Sequence, residues 1–294
     1  MRLPRCVDEN VPLHERTSLR VGGTARWLAH PSGVNEVIEV SHWAGSEHMS
    51  WTALGAGTNV LFPDSGYPGV VISTDDLRGV EISGLRLKAA AGEPLSQVAR
   101  RACEAGLSGL EWAWGIPGSV GGAVAMNAGT SEGEMSGILA EVLSVDSDGV
   151  RGRSVQAISF GYRSSPFLTG DLRELVAEAT FELVHSSPSR TLERAKRLLD
   201  ERRRRQPTGA TAGCTFRNPP EGPPAGQLLD RAGCKGLRIG RAHVSTQHAN
   251  FILNEGSENA KDVLALIEEM KRRVRSVFGI DLEEEIVLLR RAEQ

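Results

Sequence analysis

Apolar and polar positions cycle along this chain in a way that predicts a mixed protein of helices and strands. Residues 33–44 carry Val34, Val37, Ile38 and Ser41 at helical spacing. Residues 93–106 repeat the pattern with Leu95, Val98, Ala99 and Ala102, and Gly106 is a suitable stop. Cys103 falls on that apolar face, which predicts a buried structural thiol. A third helix is expected over 192–205, with Leu192, Ala195, Leu198 and Leu199 apolar. The clearest helix spans 259–278, where Ala260, Val263, Leu264, Ile267, Val274 and Phe278 form one stripe before Gly279. Strand signals occupy 19–21, 27–29, 51–54, 70–72, 80–91, parts of 138–184, 251–253 and 281–289, after a polar start. In the last of these, alternation places Glu283, Glu285, Val287 and Leu289 on one face. If that face is packed, the ionised form of Glu285 is disfavoured; an edge strand would instead leave Glu283 and Glu285 in water.

Two glycine-rich stretches interrupt this pattern. Residues 109–130 read GLEWAWGIPGSVGGAVAMNAGT, with Gly115, Gly118, Gly121 and Gly122 close together. Each glycine inside a regular element costs about 0.5–1 kcal/mol relative to alanine. Such a stretch is therefore read as a loop whose backbone approaches something closely. Exposed N–H groups in glycine turns suit an anionic cofactor, and a tight loop packed on itself is the alternative. The second stretch, Gly55-Ala56-Gly57-Thr58-Asn59, follows a strand. A dinucleotide fingerprint would need glycine at 60 and then a helix, but Val60 stands there and Pro63, Asp64, Gly66 and Pro68 follow. A Rossmann domain is disfavoured. An anion nest with Thr58 and Asn59 as donors and a plain turn both remain open.

Composition narrows the class. A chain of 294 residues suggests two or three domains, and the polar stretch HSSPSRT at 185–191 marks a boundary. The hydrophobic share of 40% and charged share of 24% are ordinary for a soluble globular enzyme. A net charge of −3 gives no electrostatic case for nucleic acid. The run Arg202 to Arg205 is local and complements a helix C-terminus. No 18-residue apolar run is present, and MRLPRCVDENVPL lacks the apolar core of a signal peptide. Cys6, Cys103, Cys214 and Cys234 form no CxxC pair, and the seven histidines show no ligand spacing. Reduced cytosolic thiols and no metal site are expected.

Three segments carry candidate chemistry. In FGYRSSPF, Arg163 sits beside Tyr162 and two serines, which suits a bidentate carboxylate binder or a surface arginine stacked on tyrosine. In TAGCTFRNPPEG, Cys214 lies in a glycine-bearing loop where a thiol can be exposed enough to react. His243, Gln247, His248 and Asn250 lead into a strand, as a pocket wall or a surface loop would.

In order, GAGTNVLFPDSGYPGVVI, GIPGSVGGAVAMNAG, GYRSSPF, TAGCTFRNP, AGQLLDRAGCKGLRIGRAHVSTQHANFILN and FGIDLEEEI resemble the UDP-N-acetylenolpyruvoylglucosamine reductase family, of the shorter type. The resemblance runs from about Thr17 to Leu289. It implies an α+β protein with an FAD-binding domain of the vanillyl-alcohol-oxidase (PCMH) kind over 1–187, in subdomains of about 1–75 and 76–187. A substrate-binding α+β domain is implied over 188–294. It implies FAD against Gly55, Ala56, Gly57, Thr58 and Asn59, and against Pro117, Gly118, Ser119, Gly121, Gly122, Ala123 and Asn127. NADPH is the implied reductant and UDP-N-acetylglucosamine enolpyruvate the implied substrate, in a cytoplasmic enzyme of peptidoglycan precursor synthesis, with a monomer favoured. Arg163 and Glu285 match the family's stabilisers of developing negative charge, and Cys214 stands where the family's proton donor is often serine. A thiol, with a pKa of about 8.5, is a stronger acid than a hydroxyl and keeps that role available. Tyr162, Arg205, Asn218 and His248 fall at implied substrate positions. A different flavoprotein of this fold, acting on a sugar or alcohol, is the alternative, and it leaves the C-terminal motifs unexplained.

Overall fold

The computed structural model describes residues 2–289, which form two compact units. The first takes the chain up to Glu9, Trp27–Ala56 and Gly69–Arg202; the second takes Asn10–Arg26, Gly57–Pro68 and the chain from Arg203 on. These units do not coincide with a single cut at 187/188.

The first unit has two cores. One lies under the helix Val34–Ser46, whose Val37, Val40, Trp43 and Ala44 are buried with Val70, Ile72 and Leu175. The four-stranded sheet here runs in the order Val7–Pro12, Thr24–Ala29, Tyr67–Ser73, Trp51–Leu54, and its last pair is parallel. The other core lies on an antiparallel five-stranded sheet, ordered Gly149–Ser154, Leu139–Asp146, Leu175–Glu182, Arg86–Ala90, Val80–Ser83. The helix Leu95–Glu104 buries Leu95, Val98, Ala99, Ala102 and Cys103 in this second core, as the periodicity predicts. Burial pushes the Cys103 thiol up to about 12, so it is a neutral packing group.

The second unit is built around the helix Lys261–Phe278, ended by Gly279 at φ 69°. Val263, Leu266, Ile267, Met270 and Val274 pack on Leu19, Val21, Leu61, Phe216 and Leu228. A three-stranded antiparallel sheet, Arg238–Ile239, Ala242–Val244 and Ile252–Asn254, completes it.

Several elements differ from the sequence expectation. The polar start holds the strand Val7–Pro12. Residues 19–21 form no strand: Leu19 and Val21 are buried but separated by Arg20, which has a left-handed φ of 59°. The third helix starts at Pro188, where a proline costs nothing in the first turn. An extra helix, Ala225–Arg231, follows the Pro-rich stretch. Over 281–289 only Val287–Leu288 is strand, pairing in parallel with Val60–Leu61. Leu282 and Ile286 are the buried apolar residues there, four apart, so simple alternation does not hold. Glu285 lies in the bend between them, half-buried, and does not share a continuous strand face with Val287 and Leu289.

Candidate active site

The glycine-rich stretch 109–130 is not loop throughout. Val120–Ala125 is a short helix whose N-cap, Ser119, accepts the Gly122 N–H at 3.4 Å. Gly121 is needed because this helix packs directly on a strand end. Its N–H donates to the Ala91 carbonyl at 2.8 Å, and a Cβ would lie 2.8 Å from the Ala91 Cβ. The Val120 N–H donates to Glu93 at 2.9 Å. The N–H groups of Val120 and Gly121 are therefore spent inside the protein and do not face an anion.

The two glycine-rich stretches meet in the first unit. A Cβ on Gly55 would fall 2.3 Å from Ser119 Oγ and 3.8 Å from the Gly122 nitrogen. Among the described residues, the N–H groups of Gly55, Ala56, Gly118 and Ser119 donate to no protein group. They form a patch of backbone donors left without a protein acceptor, on residues that run from exposed Ala56 to buried Ser119, which suits a pyrophosphate. Pro117 is exposed, whereas Ala123 is buried on the helix.

Arg163 belongs to the same unit. It sits in a two-residue hairpin closed by Gly161 N–H to Ser164 O at 3.0 Å and Ser164 N–H to Gly161 O at 3.2 Å. Its Nη2 donates to Gly129 O at 2.7 Å and its Nη1 to Asn127 O at 3.4 Å. The guanidinium carbon also lies 5.1 Å from the ring centre of Tyr162, so stacking on tyrosine, one of the two alternatives open from sequence, is present. Tyr162 is 49% exposed, unusual for an aromatic ring and suited to a contact with a ligand.

Cys214 and Glu285 belong to the second unit, and the residue after Cys214 bonds to the Glu285 backbone. Thr215 O accepts the Glu285 N–H at 2.8 Å. On its other side, the Thr215 N–H donates to Asn250 O at 2.8 Å, and Cys214 bridges to Phe251. Cys214 is half-buried between Gly213 and the buried Thr215. The Glu285 carbonyl accepts Asn59 Nδ2 at 3.0 Å, and Val287 N–H donates to Asn59 O at 3.0 Å. Asn59 thus ties the Gly57–Asn59 end of its turn to the Glu285 bend. Thr58, next to it, is half-buried.

The remaining substrate positions serve different ends. Asn218 Oδ1 accepts the Ala225 N–H at 3.0 Å, holding the start of the helix Ala225–Arg231. Arg205 is exposed at the end of the helix Pro188–Arg205. His248 stacks edge-on to Phe251, with ring centres 4.9 Å apart, and its Nδ1 accepts the Asn250 N–H at 3.2 Å. Burial, reinforced by the charge of Lys235, holds its pKa below the usual histidine value, so the ring is neutral. Asn250, given no definite role from sequence, is the main support of the Cys214 segment. It is 3% exposed, its Oδ1 accepts Phe216 N–H at 2.9 Å and its Nδ2 donates to Phe216 O at 2.8 Å. Its place in a polar run entering a buried strand was the available signal.

Comparison with known proteins decides the family. UDP-N-acetylenolpyruvoylglucosamine reductase from Synechococcus sp. (strain JA-3-3Ab) is 42% identical over 292 residues, 98% of this chain and 93% of that protein. The chain belongs to the UDP-N-acetylenolpyruvoylglucosamine reductase family. The protein of that name from Chlamydia muridarum is 38% identical over 288 residues, 97% of this chain and 95% of that protein. The crystal structure of UDP-N-acetylenolpyruvylglucosamine reductase from Thermus caldophilus superposes with a TM-score of 0.83 at 36% identity, covering 95% of this chain and 98% of that one. Residues 205–289 match the family's C-terminal domain, and residues 25–151 match an FAD binding domain. This reductase-family chain is therefore an α+β, FAD-binding oxidoreductase. Cys214, Asn250 and Glu285 all lie in the segment matched to the C-terminal domain.

Proposed function

We propose that this chain reduces UDP-N-acetylglucosamine enolpyruvate to UDP-N-acetylmuramate, with NADPH as reductant, in peptidoglycan precursor synthesis. When bound, FAD supplies the hydride that reaches C3 of the enolpyruvyl ether, and NADPH replenishes it. The backbone of Gly55, Ala56, Gly57, Thr58 and Asn59 would hold FAD, together with Pro117, Gly118, Ser119, Gly121, Gly122 and Ala123. Gly121 and Ala123 act by letting the helix sit close, since the Gly121 N–H is already spent on Ala91.

As C3 gains hydride, the electron pair of the double bond moves to C2 and into the adjacent carboxylate. Arg163 would be the cation that stabilises this charge, an effect usually large in water-excluded sites. Glu285, in the protonated form that donation requires, is the second donor. Cys214 then gives its thiol proton to C2 and becomes a thiolate, which is reprotonated from solvent. Arg205 would meet the UDP diphosphate, with Tyr162, Asn218 and His248 around the substrate. Asn218 acts through the helix start it holds. We place the enzyme in the cytoplasm, as a monomer with small-molecule partners.

The observation that carries this reading is the Thr215 carbonyl, which sets the Glu285 backbone next to the residue after Cys214. That bond brings the backbone of the Glu285 bend against the segment that follows Cys214, within the part of the chain matched to the family's C-terminal domain. The test is direct. Purified protein should show an oxidised-flavin spectrum, and NADPH loss should depend on UDP-N-acetylglucosamine enolpyruvate. NADPH loss indifferent to that substrate would contradict the proposal.

A further inference from the structure

We propose that Asn127 is a positioning residue for Arg163 and makes no direct contact with FAD; this rests on the reading of Arg163 as the charge-stabilising cation. Arg163 has a φ of 53°, in the left-handed region, which costs a non-glycine residue about 1–2 kcal/mol. Such a backbone persists only where its surroundings hold it. Asn127 supplies much of that hold. Its Nδ2 donates to Gly161 O at 3.0 Å, at the base of the Arg163 hairpin. Its own carbonyl accepts from Arg163 Nη1, and Ser165 Oγ donates to Ala125 O at 2.6 Å just beyond the hairpin. The stretch after the helix Val120–Ala125 thus grips both the hairpin and the guanidinium.

Every polar group of Asn127 is used within the protein. Its N–H donates to Val124 O at 3.0 Å and its Oδ1 accepts the Ser136 N–H at 2.9 Å. The residue is 1% exposed. A side chain this enclosed, with its oxygen and its nitrogen each already bonded inside the protein, is better suited to holding its neighbours than to reading a cofactor. It can transmit the placement of the glycine-rich helix to the arginine. Its own φ of 44° further fits a fixed corner, since asparagine tolerates that region better than most residues.

Two variants separate the side chain from the backbone. Asn127→Gly keeps the left-handed φ and removes both side-chain bonds. Asn127→Asp keeps the acceptor for Ser136 but puts an oxygen opposite Gly161 O. Arg163→Gln is the reference, and the double variant Asn127→Asp/Arg163→Gln closes a cycle. Stopped-flow measurements follow FAD reduction by NADPH and its reoxidation by UDP-N-acetylglucosamine enolpyruvate, and FAD content is read on the same preparations. In both Asn127 variants we expect FAD content and the reduction rate to stay within about twofold of wild type. Reoxidation should slow about ten- to a hundredfold, the scale of a misplaced charged donor. The double variant should be no slower than Arg163→Gln alone, within about twofold. Wild-type reoxidation in Asn127→Asp beside a slow Arg163→Gln would overturn the inference, as would multiplicative effects in the double variant or loss of FAD. Normal reoxidation in Arg163→Gln would instead remove the reading of Arg163, and the positioning role with it. If Asn127→Gly does not accumulate as folded protein, Asn127→Asp, which preserves the side-chain shape, decides the matter.

Discussion

A methyl group at Gly55 tests the cofactor cradle at the point where its two segments meet. Gly55 has no left-handed φ, so alanine is tolerated by the backbone and only the space is at issue. The added carbon would lie 2.3 Å from Ser119 Oγ. An ordinary carbon–oxygen approach is about 3.3–3.6 Å, so the overlap is about 1 Å. Ser119 is 2% exposed, which leaves its hydroxyl little room to swing away. Overpacking of this kind costs about 1–3 kcal/mol. The Ser119 Cβ, however, is 3.5 Å from the same point, an ordinary contact. Ser119→Ala therefore removes the obstacle and loses only a helix cap, worth about 1 kcal/mol or less for so long a bond. FAD affinity, measured by quenching of flavin fluorescence as apoprotein is titrated, and the Tm should be read together, because the strain is shared between cofactor and fold. Gly55→Ala should weaken FAD about tenfold or more. The pair Gly55→Ala/Ser119→Ala should return to about the level of Ser119→Ala alone. A double variant as weak as the sum of the two singles would refute the reasoning.

Two further predictions address the fold and the substrate. Hydrogen bonding from Arg153, then from Ser144, holds the Glu174 carboxyl below the usual carboxylate range. A depressed carboxyl stabilises the fold above its unfolded pKa, and that contribution is lost as pH falls through the folded value. Arg153→Ala should cost about 1.5–3 kcal/mol at neutral pH, and urea melts at descending pH should show the gap to wild type closing below about pH 4.5; a gap that stayed constant would refute this. Arg205→Ala should raise the KM for the UDP-sugar about fivefold, as expected for an exposed cation. Its FAD content should not change, and loss of flavin in that variant would count against the placement of Arg205.

Much of this architecture could be read from residue pattern, and the misses share a cause. The helix Lys261–Phe278 was legible because its buried residues keep one period and Gly279 ends it in the left-handed region. The helix Leu95–Glu104 was legible for the same reason. The strand Val7–Pro12 was not, because Val7 is its one buried residue, so no alternation shows. The helix Ala225–Arg231 is seven residues long with only two buried leucines, too short for a period to emerge. The glycine pair at 121–122 read as loop because the reason for Gly121 is a contact with Ala91, thirty residues earlier in the chain and invisible to local pattern. The candidate site was legible as residue types in order. Its supports were not: the left-handed Arg163, the Asn127 bond to Gly161 and the Asn250 clamp on Phe216 exist only once distant segments meet.

The central claim is that Cys214 delivers the proton to a substrate reduced by the FAD that the glycine-rich segments hold. Single-turnover reoxidation of the NADPH-reduced enzyme by UDP-N-acetylglucosamine enolpyruvate, compared among wild type, Cys214→Ser and Cys214→Ala, tests it most directly. The account predicts measurable reoxidation in the serine variant, loss of most of it in the alanine variant, and normal reduction by NADPH in both. An alanine variant that turned over like wild type would contradict it.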